Sequence, residues 1–300
     1  MASVNTVAVI GAGIMGRGIA HVAALGGYRT ILEDILPASL RKAESEIRAH
    51  LNQGVELGKL EKPAAEAAFS RIHLVGSVEE AAREADLVIE AVPEEMDSKI
   101  EIFTLLDKIC RPGTILASNT SSLSVTEIAS VTYRPQKCVG MHFFNPVHKM
   151  KLLEVVRALE TDDETIAAAT EVGRRMGKEV VVIRESPGFI TSRINAMIGN
   201  EAFYMLQEGI ASAEDIDKAL KLGLNHPMGP FELVDLVGLD TRLHILEYLH
   251  KSLGEKFRPA PLLVQHVKAG RLGRKTGRGV FDYPETEKGK EKTTEAKLVH

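Results

Sequence analysis

A short apolar run, Val7-Ala8-Val9-Ile10, passes without a break into Gly11-Ala12-Gly13-Ile14-Met15-Gly16, and an apolar helical stretch follows to Leu25. After Gly26-Gly27 a second run, Thr30-Ile31-Leu32, ends in Glu33-Asp34. Few folds accommodate that order. Gly11 permits a sharp exit from a strand, Gly13 lets backbone approach a ligand where a Cβ would intrude, and Gly16 lets helix and strand pack closely. The helix N-terminus then offers unpaired N–H groups and the positive end of its dipole to a phosphate. Gly11, Ala12, Gly13, Ile14, Met15 and Gly16 together form the expected cradle for a dinucleotide pyrophosphate. Asp34 lies 23 residues after Gly11, about where such a fingerprint places an acid on the adenosine ribose hydroxyls. A carboxylate there repels a 2′-phosphate, so NAD is expected as cofactor over NADP. Neighbouring strand side chains point to opposite faces, which leaves a one-residue choice between Glu33 and Asp34; Asp34 is the preferred assignment.

The 300 residues suffice for one large or two medium domains, and a 44% hydrophobic content is ample for a core. A net charge of −4 argues against a general nucleic-acid partner, which normally meets a basic face. No stretch approaches the roughly 20 apolar residues of a membrane span, and the N-terminus runs straight into the first strand with no room for a signal peptide. A cytoplasmic protein with no membrane partner is the expectation. Cys110 and Cys138 stand 28 residues apart with no metal-like spacing around them, so both read as buried, unpaired thiols and no metal site is expected.

Downstream, a long charged stretch from Pro37 to Phe69 reads as a solvated helical excursion. Short apolar runs then recur between helical segments, at Ile72–Val75, Leu87–Val92, Ile115–Ser118, Val139–Phe143, Leu152–Val156 and Val180–Ile183. Strands alternating with helices predict a Rossmann-type, doubly wound and mainly parallel sheet, with chemistry at the carboxyl ends of its strands. Near Glu185-Ser186-Pro187-Gly188 the pattern changes to helices with no convincing strand before Gly279-Val280-Phe281. The expected organisation is an α/β domain over residues 1–185, an all-helical C-terminal domain over 186–284, and a polar Lys/Glu-rich disordered tail over 285–300. The stretch Phe189–Leu206 carries apolar residues on more than one face, so its helix is expected to be more buried than a surface helix. Ser212 with Asp215 three residues on announces another helix by a capping-box arrangement. Four or five short helices have little interior of their own, and dimerisation through them is expected to complete their core, packing on the first domain being the alternative.

Glu154 sits among four aliphatics in Leu152-Leu153-Glu154-Val155-Val156, and a buried carboxylate needs a partner. His142, twelve residues earlier in Met141-His142-Phe143-Phe144-Asn145-Pro146, is the nearest candidate if the two runs are neighbouring strands joined through Asn145-Pro146. Glu154 would then steady the ring while its other nitrogen takes a proton from a substrate hydroxyl. The competing reading is a buried His–Glu pair with a structural role. His148 reads as an exposed loop histidine, and the remaining histidines receive no role. Ser118-Asn119-Thr120-Ser121-Ser122 puts short hydrogen-bonding side chains at the sheet's ligand edge, with Asn119 assigned to the cofactor. An ordinary N-cap cluster for a helix near Val125 looks similar, yet Ser124 or Thr126 caps that helix unaided.

Taken in order, GAGIMGRGIA, EAVPEEMDSK, ASNTSSL, MHFFNPVHKMKLLEVV, SPGFITSR, HPMGPFELVDLVGLD and GRKTGRGVFDY resemble the 3-hydroxyacyl-CoA dehydrogenases over nearly everything from Val7 to Tyr283. The resemblance implies His142 as catalytic base, Glu154 as its partner, and Ser121 as a catalytic-site residue touching both substrate and cofactor. It implies that Asn145 lies near the nicotinamide and that Glu94, Lys99 and Lys275 contact NAD. It further implies reversible oxidation of an acyl-CoA substrate, an (S)-3-hydroxyacyl-CoA, by a homodimer. Where many members read G-F-I-V-N-R, this chain reads Gly188-Phe189-Ile190-Thr191-Ser192-Arg193, so Ser192 stands where an asparagine helps bind substrate, and Asn195 is positioned to compensate. Two other readings stay open: an enzyme like lens λ-crystallin and L-gulonate dehydrogenase, acting on a sugar acid without CoA, and a non-catalytic NAD-binding protein.

Overall fold

A computed structural model describes residues 4–283, and the tail expected to be disordered lies outside them. The chain divides into two compact units, with the division between Phe189 and Ile190.

In the first unit the strands are β1 (Thr6–Ile10), β2 (Arg29–Glu33), β3 (Ile72–Val75), β4 (Leu87–Glu90), β5 (Ile115–Ser118), β6 (Cys138–Phe143), β7 (Leu152–Arg157) and β8 (Glu179–Arg184). Helices α1 (Ile14–Leu25), α2 (Pro37–Glu56), α3 (Lys62–Ser70), α4 (Val78–Ala82), α5 (Met96–Ile109), α6 (Val125–Ala129) and α7 (Asp163–Arg175) connect them. The sheet order is β3-β2-β1-β4-β5-β6-β7-β8, parallel throughout except for the β6–β7 pair. The order reverses between β1 and β4, which is the switch point where doubly wound sheets open a crevice for ligands.

Strand alternation sorts the interior into two layers. Val7, Val9, Leu32, Ile89, Ala117, Met141 and Val155 pack with residues of α1, α2, α3 and α7, whereas Ala8, Ile10, Ile31, Val88, Leu116 and Cys138 pack with α4, α5 and α6. The charged excursion resolves into two helices that break at Leu57–Glu61, and α2 is amphipathic: Ala43, Ile47 and Leu51, spaced by four, are buried while its other side carries the charges. Cys110 and Cys138 are buried free thiols, and burial raises both to about 11. The edge strand β8, read as apolar, is largely exposed, with Val181 at 41% and Val182 at 47%.

The second unit holds α8 (Thr191–Gln207), α9 (Ala213–Gly223), α10 (Pro230–Val237), α11 (Leu239–Leu253) and α12 (Pro261–Lys268). Phe203 and Phe231 meet edge to face at 5.2 Å in its core, joined by Leu239, Leu246, Leu249, Phe257 and Leu263. Ser212 caps α9 by accepting from the Asp215 N–H. Gly279–Phe281 is not a strand. It is held instead by Asp235, whose carboxylate accepts from the N–H groups of Val280 and Phe281 and from the Tyr283 hydroxyl, at 2.8 to 2.9 Å. Helix α8, expected to be more buried than a surface helix, is buried on one face only. Ala196, Gly199, Asn200, Ala202 and Phe203 are buried, whereas Ile190, Ile194 and Met197 remain exposed, because the five helices enclose only one of its apolar faces. No helix among the described residues is long and apolar enough to cross a membrane.

Candidate active site

The parallel register lines up Glu33, Ile10, Glu90 and Ser118 in one row at the carboxyl ends of β2, β1, β4 and β5. The glycine turn leaves β1 from this row. Gly11 has φ +97, and a Cβ on it would lie 2.9 Å from the Ala91 carbonyl oxygen. A Cβ on Gly16 would lie 1.7 Å from the Gly11 oxygen, so α1 and the turn touch through backbone alone. A Cβ on Gly13 would meet nothing within 4 Å: the surface is open where a pyrophosphate must approach. Gly13 caps α1 without a side-chain bond, leaving first-turn N–H groups free for phosphate oxygens. These residues fit the dinucleotide.

The two acids at the carboxyl end of β2 meet different partners. Asp34 turns to the glycine loop, where its carboxylate accepts from Ala12 N–H and Leu36 N–H at 2.9 Å each. Glu33 is buried, one of its carboxyl oxygens lacks a partner, and burial, with repulsion from Asp34 second, raises it to about 7. A raised acid stabilises the fold in its protonated form, fully below its unfolded value and progressively less as pH climbs through about 7. Melting temperatures should therefore fall between pH 5 and pH 8 by more in the native chain than in Glu33→Gln; identical slopes would place the pH dependence elsewhere. For Asp34→Ala the expected result is NADH binding weakened roughly 10- to 100-fold, the scale of charge-assisted hydrogen bonds, with discrimination against NADPH relaxed. Unaltered cofactor preference in titrations with both nucleotides would remove Asp34 from the ribose contact.

A second network lies under the ends of β4 and β5. Glu90 is fully buried and accepts from Lys99 Nζ at 2.7 Å, Val92 N–H at 2.8 Å and Ser118 Oγ at 2.6 Å. Burial pushes its carboxyl up against the pull of Lys99. One oxygen of Glu94 accepts from Thr120 Oγ1, Ser121 N–H and Ser121 Oγ at 2.7 to 3.0 Å, and the other lies 3.3 Å from Lys99 Nζ. Burial pushes Glu94 up as well, but Lys99 and these donors outweigh it and hold the carboxylate below its ordinary value. The Ser118–Ser122 run therefore builds a network beyond capping; α6 is capped by Ser124. Lys99 is 1% exposed and spans Glu90 and Glu94, so it acts on this edge as a buried cation beneath Glu94. Asn119 joins β5 to β6 by accepting from Phe143 N–H at 2.9 Å.

His142 and Glu154 are direct register partners in the antiparallel β6–β7 pair. Nδ1 of His142 meets Glu154 Oε2 at 2.7 Å, with the imidazole 6% and the glutamate 1% exposed. The ring is packed by Phe144 at 4.3 Å and Phe189 at 5.7 Å. One nitrogen is thus committed to a buried acid and the other remains for a proton. Asn145 is exposed beside this strand end and precedes a cis Asn145-Pro146 bond. In the second unit Ser192 is half-buried and Asn195 exposed on α8, and Lys275 pairs with Asp240 at 2.5 Å.

His148 is not an exposed loop residue. It is half-buried and stacks on His50 at 4.3 Å and His21 at 5.7 Å, because the segment after β6 folds back onto α1 and α2. Positions so far apart in the chain carry no joint sequence signal. Burial lowers His21 to about 3 and His148 to about 4.

An imidazole held by a carboxylate at the edge of a dinucleotide fold is an arrangement able to exchange a proton with an alcohol while hydride passes to or from a nicotinamide. The chain is an NAD-dependent dehydrogenase. The family model described as "3-hydroxyacyl-CoA dehydrogenase, NAD binding domain" matches residues 6–186, and "3-hydroxyacyl-CoA dehydrogenase, C-terminal domain" matches residues 188–283. This protein belongs to the 3-hydroxyacyl-CoA dehydrogenase family. It is 47% identical over 283 residues to a probable 3-hydroxybutyryl-CoA dehydrogenase of Bacillus subtilis, covering 94% of this chain and 98% of that protein. Among solved structures, the (S)-3-hydroxybutyryl-CoA dehydrogenase of Ralstonia eutropha matches with a TM-score of 0.91 at 43% identity, over 94% of this chain and all of that one. A diketoreductase matches with a TM-score of 0.80 at 30% identity, over 94% of this chain and all of that one.

Proposed function

We propose that this enzyme oxidises short-chain (S)-3-hydroxyacyl-CoA thioesters, 3-hydroxybutyryl-CoA foremost, reversibly to 3-oxoacyl-CoA, with a role in fatty acid β-oxidation or its reverse. The observation that carries the reading is the 2.7 Å His142–Glu154 pair at the carboxyl edge of the sheet, together with the names of the relatives just given. NAD, when bound, accepts the hydride from the substrate carbon. His142 takes the hydroxyl proton, and Glu154 stabilises the resulting imidazolium and fixes the ring. Gly11–Gly16 hold the pyrophosphate and Asp34 the ribose. Ser121, with Asn119, Glu94 and Asn145, orients nicotinamide and substrate, Lys99 holds Glu94 in place, and Lys275 contributes to cofactor binding. Ser192 and Asn195 bind substrate. Supporting a homodimer through the helical second unit are the exposed apolar residues Ile190, just before α8, and Ile194 and Met197 on it. A cytoplasmic location completes the reading.

The test follows NADH and NADPH consumption with acetoacetyl-CoA, longer 3-oxoacyl-CoAs and dehydrogulonate. Preference for acetoacetyl-CoA with NADH supports the proposal; turnover of dehydrogulonate alone replaces it with a sugar-acid dehydrogenase. For Ser192→Asn the expected outcome is a changed KM for acyl-CoA with an unchanged circular dichroism spectrum. Identical kinetics on every acyl-CoA would show that position 192 plays no part in recognition.

A further inference from the structure

The stacked histidines are used by nothing in the dehydrogenase chemistry. His21 comes from α1, His50 from α2 and His148 from the segment joining β6 to β7, all within the first unit. Their ring centroids lie 6.2, 5.7 and 4.3 Å apart, and one ring nitrogen of each falls within 4.8 Å of one ring nitrogen of each of the others. Nδ1 of His21, a residue only 4% exposed, and Nε2 of His148 are buried with no hydrogen-bond partner. Leaving such nitrogens unpaired is costly, and the helices and loop still bring these two rings together with that of His50.

We propose that His21, His50 and His148 form a site for a borderline-soft divalent transition metal, Zn2+ being the reference ion. Imidazole nitrogens without carboxylate or thiolate suit Zn2+, Cu2+ and Ni2+ rather than Mg2+ or Ca2+, and three protein donors leave a fourth position for water. The rings lie within 25° of parallel, so their lone pairs do not yet converge. Tetrahedral donors at about 2.0–2.1 Å from a metal stand about 3.3 Å from one another. Capture therefore requires rings to rotate and His148, on a connecting segment rather than a helix, to move inward. Two cations face the cluster: Lys178, just before β8, whose Nζ donates to the carbonyls of Val147 and Met150, and Lys149 in the segment that carries His148. Metal occupancy would thus bind α1, which follows the glycine turn, to the segment that carries Asn145.

The test is calorimetric titration of Zn2+ into the untagged, chelator-treated full chain at pH 7.5. One equivalent bound with Kd of about 1 µM or below supports the site, as does a weakening of about tenfold or more in both His50→Ala and His148→Ala. His50 is half-buried on a different element, α2, so that variant keeps the question answerable if His148→Ala fails to fold by circular dichroism. His244→Ala, an exposed histidine of α11, should bind as the native chain does. Co2+ provides a second readout: visible d–d absorption of a nitrogen-rich site, lost in His50→Ala. Absence of Zn2+ binding, or binding that survives His50→Ala unchanged, overturns the proposal without touching the dehydrogenase assignment.

Discussion

His142→Gln is expected to lower kcat by roughly 10²–10⁴, the usual scale for losing a general base, while NADH affinity stays nearly constant. Glutamine keeps a donor for Glu154, so the buried carboxylate is not abandoned and the fold should survive. The glycine turn joins β1 to α1 and Asp34 follows β2, elements that do not carry His142. A loss confined to kcat and kcat/KM, with unchanged nucleotide titrations, is the signature of an interaction made in the transition state. Retained turnover would remove His142 from the mechanism and take the proposed function with it. Glu154→Gln should also lower kcat, by less, since the base remains but loses the anion that steadies its protonated form.

The other large effect concerns stability. Lys99→Met removes the cation from a pair whose side chains are 1% and 0% exposed. Glu90 would keep Ser118 Oγ and Val92 N–H as donors but lose its counter-charge. Breaking a buried pair from one side costs about 3–5 kcal/mol, a drop of roughly 6–20 °C in melting temperature for a domain of this size. With its counter-charge gone, Glu90 is pushed further up, so the sign is fixed: the variant loses more stability as pH rises and the carboxyl must ionise. Melts followed by circular dichroism at pH 6 and pH 9 read both effects. Adding Glu90→Leu should restore part of the loss, because a buried pair replaced by apolar groups is often neutral. A Lys99→Met protein as stable as the native chain at both pH values would show the pair to be energetically idle. NADH affinity should fall in parallel, since Glu94 loses the cation 3.3 Å away.

Much of the site was legible in the chain because its parts are local. Strand, glycine turn, helix and acid fall within residues 7–34, and each glycine answers to a steric demand of its own turn. His142 and Glu154 lie twelve residues apart in two adjacent strands, so the buried acid itself advertised its partner. The network around Glu90 was less legible. Glu94 reaches Thr120 and Ser121 across 26 and 27 residues, and only the juxtaposition of β4 with β5 brings them together. The resemblance implied a contact between Lys99 and NAD, and the fold sets its ammonium between the carboxylates of Glu90 and Glu94.

The sequence by itself determined the kind of sheet, its glycine turn, the acid that follows β2 and the hairpin that pairs an imidazole with a carboxylate, since these depend on strand alternation and turn chemistry over short stretches. Only the tertiary structure decided which of Glu33 and Asp34 faces the loop, what Lys99 touches, which face of α8 stays open, and that histidines 21, 50 and 148 share one spot. Those outcomes depend on the order of strands in the sheet and on which helix covers which face. Contacts of that kind join residues separated by up to 127 positions, and no local period records them.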